Sequence, residues 1–168
     1  MLIRRAVPDD SGALADVLVD CVEGGASVGF MLPFSHERAA SFWDKALADS
    51  GRIIFVAEEV EGGAVVGTVQ VVLTAPENQP HRGEISKMLV HRAARRHGVA
   101  EALMRAAEAA AVEAGKTLLM LDTASDSAER LYERLGWKRV GVIPDYALWP
   151  DGGLVDTIIF YKNLRDER

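Results

Sequence analysis

The spacing of apolar and polar positions changes period several times along the chain, and each change marks an element. Leu2 to Val7 reads as a short strand. Pro8-Asp9-Asp10-Ser11 supplies helix-start chemistry, and Ala13, Leu14, Val17, Leu18 and Cys21 follow at helical spacing. Gly24-Gly25 closes that helix, and Gly29 and Pro33 keep the stretch from Ala26 to Phe34 a loop. Ala39, Phe42, Trp43, Ala46 and Leu47 share one face of a second helix, from Ser35 to about Asp49. Two strands follow, Arg52 to Glu59 and Ala64 to Thr74. The short link Glu61-Gly62-Gly63 predicts that they form an antiparallel hairpin.

Beyond the polar loop Pro76 to Gly83, a strand runs from Glu84 to Val90. Val99 to Ala114 is a helix with Val99, Leu103, Ala106, Ala107, Ala110 and Ala114 on its inner side; Glu101 and Arg105 pair on the other, and Gly115 stops it. Thr117 to Leu121 is a near-continuous apolar run, the pattern of a strand buried on both faces. Asp126, with Glu129 three residues on, suggests a capping box for a helix whose stripe is Ala128, Leu131, Tyr132 and Leu135. Strands from Trp137 to about Tyr146 and from Val155 to Tyr161 flank the turn Pro150-Asp151-Gly152-Gly153. The order β-α-α-β-β-β-α-β-α-β-β predicts an α/β fold with a mixed, mostly antiparallel sheet. Its one evident parallel crossover spans Glu84 to Asp122.

Composition narrows this picture. The 168 residues are 49% hydrophobic and 26% charged, as in a single globular domain able to bury its own core without a disulfide or metal staple. Nineteen basic against 25 acidic side chains leave a net charge of −6, which argues against nucleic acid or an anionic membrane as the main partner. The single cysteine, Cys21, excludes an internal disulfide framework and fits a reducing, cytoplasmic compartment; it lies on an inner helix stripe, where packing is its expected role. The N-terminus lacks the apolar core of a signal peptide, and no apolar run approaches the ~20 residues of a membrane span. His36, His81, His91 and His97 show no metal-ligand spacing, so no metal is expected, and no G-x-S-x-G elbow points to a serine hydrolase.

Chemistry concentrates in one segment. After Val90 three arginines, Arg92, Arg95 and Arg96, arrive within five residues, and a helix then opens at Gly98-Val99-Ala100. A helix start offers unpaired N–H groups and the positive end of its dipole, and small residues let an anion approach that backbone. The segment is therefore a candidate phosphate cradle, although the same residues would also suit a solvated basic turn. It matches neither G-x-G-x-x-G nor G-x-x-x-x-G-K-[ST].

Arg95-Arg96-His97-Gly98-Val99-Ala100 fits the pattern [Q/R]-x-x-G-x-[G/A] and resembles the GNAT superfamily of acetyl-CoA-dependent N-acetyltransferases. Ser125 to Trp137 is similar to that family's N-x-x-A-x-x-L-Y-x-x-x-G-[F/W] motif, and Leu2 to Ala6 with Asp9-Asp10 to its first strand and helix start. Gly83-Glu84-Ile85-Ser86-Lys87-Met88-Leu89-Val90, Leu121-Asp122-Thr123 and Pro150-Asp151-Gly152 look like the tabtoxin-resistance type, which acetylates small amines. The resemblance implies a sheet whose central parallel pair splays around acetyl-CoA. Met88, Leu89 and Val90 would bind the pantetheine, and Arg95, Arg96, Gly98, Val99 and Ala100 the pyrophosphate. Arg92 would do likewise or reach the ribose phosphate. Ser125 stands where the family has asparagine, with a shorter reach to the pantetheine.

Amine transfer needs a base, because an alkylamine of pKa near 10.4 is protonated at neutral pH. Glu84 is one candidate, on a face shared by strand period with Ser86, Met88 and Val90; its other reading is an ion pair with Arg82. Asp122, at the carboxyl end of the next strand, is the second, and as readily a turn residue. The resemblance makes Tyr132 the proton donor to the departing thiolate, although its place on an apolar stripe equally suits a core tyrosine. Phe30, Phe34, Phe42 and Trp43 are expected to shape an acceptor pocket. The expected activity is transfer of an acetyl group to a primary amine of a small molecule, for example an antibiotic- or toxin-like amine, by direct attack in a ternary complex. Alternatives are a protein N-terminal or lysine acetyltransferase and a non-catalytic acyl-CoA sensor. Sheet edges of this family often support dimers, so a homodimer is compatible with the resemblance.

Overall fold

The computed structural model describes residues 1–73 and 75–167, the last two by backbone alone; Thr74, the expected end of the second hairpin strand, lies outside them. Strands β1 (Leu2–Arg5), β2 (Arg52–Glu58), β3 (Val65–Val72), β4 (Arg82–Val90), β5 (Leu118–Thr123), β6 (Lys138–Leu148) and β7 (Leu154–Asn163) form one sheet, ordered β1-β2-β3-β4-β5-β7-β6. Helices α1 (Ser11–Glu23) and α2 (His36–Ala48) cover one face; α3 (Val99–Glu113) and α4 (Asp126–Arg134) lie on the other. Every strand pair is antiparallel except β4–β5, as the crossover between them requires. No helix among the described residues is long and apolar enough to cross a membrane.

The pairing of β4 with β5 stops early. Arg82 faces Leu118, Gly83 faces Leu119 and Glu84 faces Met120, and beyond that rung the two strands have no partners in common. Both continue, to Val90 and to Thr123, so a wedge opens between them. The last six residues of β4 thus present backbone groups with no strand on the β5 side, a demand that a ligand can meet.

A bulge then resets β4. Ser86 pairs with Gln70, but Leu89 pairs with Thr68, so three steps on β4 match two on β3, and Lys87 takes a left-handed φ of 50°. The strict alternation expected for this strand therefore fails. Glu84, Ser86 and Leu89 face α1 and α2, whereas Met88 and Val90 pack on the α3 side. Glu84 does not share a face with Met88 and Val90.

Three local expectations also change. The buried side of α3 includes Met104, Glu108 and Ala111, while Ala114 falls outside the helix as its exposed C-cap. Ser125 caps α4 in place of Asp126, its Oγ accepting from Ala128 N (3.3 Å), and Glu129 instead pairs with Arg139 at 3.1 Å. In β5 only Leu119 and Leu121 are buried; Leu118 and Met120, on the other face, are half-buried.

Gly67 explains how α3 docks. A Cβ there would lie 2.9 Å from Val99 Cγ1 and 3.1 Å from Leu103 Cδ1, so the first turns of α3 rest against bare β3 backbone. That contact fixes where the helix begins.

Candidate active site

The helix start predicted to hold an anion has the shape for it. Gly98 is the N-cap of α3 at φ 75°, a left-handed value favouring glycine, and Arg96 is also left-handed at φ 65°. Consecutive left-handed and helical residues turn successive N–H groups to one side, forming a concave nest. The first intrahelical bond is Ala102 N to Gly98 O (3.1 Å), which leaves the N–H groups of Val99 and Ala100 for a ligand. Arg95 and Arg96 are exposed beside them. Arg92 behaves differently: its Nε and backbone N donate to Asp20 at 2.9 and 2.8 Å, tethering the loop to α1. Burial alone would raise the Asp20 carboxyl, but Arg92 and His91 bring it below its ordinary range.

Asp122 lies two residues past the last β4–β5 rung, on the same face as Glu84 and Met120. Its Oδ2 accepts from Thr157 Oγ1 at 2.6 Å, and the rest of the carboxylate is exposed to the wedge. Its charge reaches two other groups, the Tyr132 phenol and the Lys87 ammonium. Tyr132 is 4% exposed, in edge contact with Phe160 (5.8 Å between centroids) and near Trp137 (6.1 Å). Burial first, and Asp122 second, push its phenol far above the ordinary value, so it stays protonated at physiological pH. Its hydroxyl makes no hydrogen bond among the described residues.

Glu84 sits apart. Its carboxylate accepts from Arg82 Nη1 at 2.6 Å, at the closed end of the wedge. The structure therefore brings together Asp122, Tyr132 and Lys87, and leaves Glu84 in the ion pair that was its other reading. Ser125 spends its oxygen on the α4 cap and on Ser127 Oγ (2.9 Å). Cys21 is buried, with its thiol pushed up by burial.

Phe30 and Phe42 lie half-buried over Lys87, while Phe34 and Trp43 belong to the core beneath. The loop before α2 also touches the β6–β7 turn, Leu32 N donating to Pro150 O (2.9 Å) and Ser27 Oγ to Leu148 O (3.3 Å). These contacts tie the loop to the hairpin turn. A separate open groove of about 430 Å³, between the start of α4 and the β6–β7 hairpin, contains none of Glu84, Asp122 and Tyr132.

Comparison with known structures agrees with this geometry. A Staphylococcus aureus N-acetyltransferase superposes with TM-score 0.83 at 20% identity, covering 97% of this chain and 98% of that one. A ribosomal-protein-alanine N-acetyltransferase from Brucella melitensis gives 0.82 at 25%, covering 97% and 99%. A phosphinothricin acetyltransferase from Sinorhizobium meliloti, in complex with acetyl-CoA, gives 0.82 at 21%, covering 96% and 87%. The class is thus that of the N-acetyltransferase fold, a mixed sheet opened at one parallel pair. The model of the acetyltransferase (GNAT) family matches residues 22–137, and the chain belongs to that family. Neighbours of the same fold have been solved with acetyl-CoA bound. The residues fit that co-substrate: an unpaired β4 edge for an amide-bearing arm, and an N–H nest for phosphates beside two exposed arginines, of which Arg95 also donates its Nε to Val90 O (3.4 Å).

Proposed function

We propose that this protein transfers the acetyl group of acetyl-CoA to a primary amine of a small molecule, by direct attack with both substrates bound. The observation that carries the reading is the placement of Asp122 two residues past the last β4–β5 rung, exposed where the strands part and electrostatically coupled to Tyr132. Acetyl-CoA supplies an activated acyl group. Arg95, Arg96, Val99 N and Ala100 N hold its phosphates; the open edge from Met88 to Val90 orients the arm, and one N–H there polarises the thioester carbonyl. Asp122 holds the incoming ammonium and accepts its proton, directly or through water. Tyr132, kept neutral by burial, gives its proton to the sulfur as the C–S bond breaks and the N–C bond forms, and the second proton of the acylated nitrogen returns to it through water. Glu84, tied to Arg82, is the weaker candidate for base.

The likeness to a ribosomal-protein-alanine N-acetyltransferase supports a second reading, a protein N-terminus as acceptor. The contact between the α1–α2 loop and the β6–β7 turn favours the smaller acceptor. The lone buried cysteine fits a cytoplasmic setting. Thiol release from acetyl-CoA, measured against amines and N-terminal peptides, tests the proposal. Turnover with small amines, lowered more by Asp122→Asn than by Glu84→Gln, is expected. Turnover with peptides alone would favour the second reading, and binding of acetyl-CoA with no amine-dependent release would mark a sensor.

A further inference from the structure

Lys87 is the site's unexplained group. It sits on the bulge of β4, half-buried, with its Nζ 5.4 Å from the Phe42 ring centroid and 5.9 Å from that of Phe30. It has no hydrogen bond or ion pair among the described residues. An ammonium taken part-way out of water without an anion is costly, and two ring faces compensate only in part.

A second unpartnered donor stands beside it. Gln70 pairs across β3–β4 with Ser86, next to Lys87, and is fully buried. Arg52 Nη1 donates to Gln70 Oε1 (2.9 Å), and Arg52 is in turn held by Asp49 at 3.0 Å. A guanidinium accepts nothing, so it selects the carbonyl end of the amide and leaves Nε2 as the free end. That Nε2 has no partner. The Arg52 charge also acts on Lys87. Buried donors without acceptors are rare in folded proteins, and here one adjoins a cation without a counter-ion.

Across the same face stands Asp122, whose carboxylate is not paired with Lys87 but is near enough to act on it. This face thus carries a carboxylate, bonded only to the Thr157 hydroxyl, and an ammonium with no counter-ion, not paired with each other. Building on the small-amine reading, we propose that Lys87, with Gln70 Nε2 and the Arg52 charge behind it, receives a carboxylate-like anion on the acceptor. The preferred substrate is then an acidic amine of the amino-acid kind, its ammonium at Asp122 and its anion at Lys87.

The test uses straight-chain amino acids of two to six carbons, each against its own carboxamide, with rates corrected to the free-amine form. Thiol release should show at least one acid preferred over its amide by roughly ten- to hundredfold in kcat/KM, the range of a charge-assisted hydrogen bond. Lys87→Met should abolish that ratio, and Lys87→Arg should retain it. Calorimetric binding of the N-acetylated acids and amides to the CoA-loaded protein should give the same order without turnover; if Lys87→Met folds poorly, Lys87→Gln and the wild-type ratio carry the decision. No acid preference in the wild type, or the same ratio in Lys87→Met, overturns the subsite while leaving N-acetyl transfer intact. Equal losses on acid and amide would also overturn it, marking Lys87 as part of the transfer step. Lys87-dependent acid binding without turnover of any amine would keep the subsite and overturn the small-amine reading.

Discussion

Two polar clusters lie on opposite faces of the sheet, and they are finished to different degrees. On the α3 face, Glu108 Oε1 accepts from Trp137 Nε1 (2.7 Å) and Oε2 from Lys162 Nζ (2.8 Å), which also donates to Leu135 O (2.7 Å). All three side chains are at most 9% exposed and mutually satisfied. On the α1–α2 face, Lys87 and Gln70 Nε2 lack anions and Asp122 faces the wedge. A satisfied buried cluster joins elements; an unsatisfied one beside an opening awaits a ligand. The first therefore answers to stability and the second to binding and rate.

Substitutions can break this contrast. The largest expected effect is Asp122→Asn, which should lower kcat by about 10²–10⁴, the usual worth of a general base, with the denaturation midpoint nearly unchanged. Glu108→Ala should do the reverse: a loss of about 3–5 kcal/mol in denaturant titration, because the buried carboxylate that Trp137 and Lys162 share is removed, with kcat per folded molecule close to wild type. If Glu108→Ala leaves stability intact, or Asp122→Asn unfolds the protein, the two clusters are not different in kind.

A smaller effect sharpens the boundary between them. Gly67→Val should overpack the α3 start at a cost of about 1–3 kcal/mol and weaken CoA binding as well, since the N–H nest moves with the helix. Unaltered CoA affinity in a destabilised variant would separate the nest from the docking contact. The smallest effect concerns acid. Arg4 bonds Asp10 at 2.8 Å and Glu58 at 2.6 Å, and it holds both carboxyls below their ordinary values, aided by the Val7 and Gly62 N–H groups. Depressed carboxyls stabilise the fold above their unfolded pKa near 4, and that contribution is lost as pH falls through the folded values. Melting temperatures should therefore drop below about pH 4, and less steeply in Arg4→Met.

Much of this was legible in the chain. Helix starts, glycine stops and the basic run before Gly98 are local features, and the element order followed from them. Tyr132 and Asp122 were nameable, but their coupling was not, because they come from different elements. Glu108 looked like one more surface glutamate on α3; its burial depends on Trp137 and Lys162, distant in sequence. Lys87 and Gln70 carried no signal, since a bulge shows only once β3 and β4 are paired.

By itself the sequence determined the succession of helices and strands, the parallel crossover and the basic turn before Gly98, all products of short-range patterning and backbone sterics. Tertiary structure alone decided where β4 and β5 part, which way Met88 and Val90 face, and which charges remain unpaired. Those outcomes depend on register between strands far apart in the chain, where one residue's slip exchanges the two faces of the sheet.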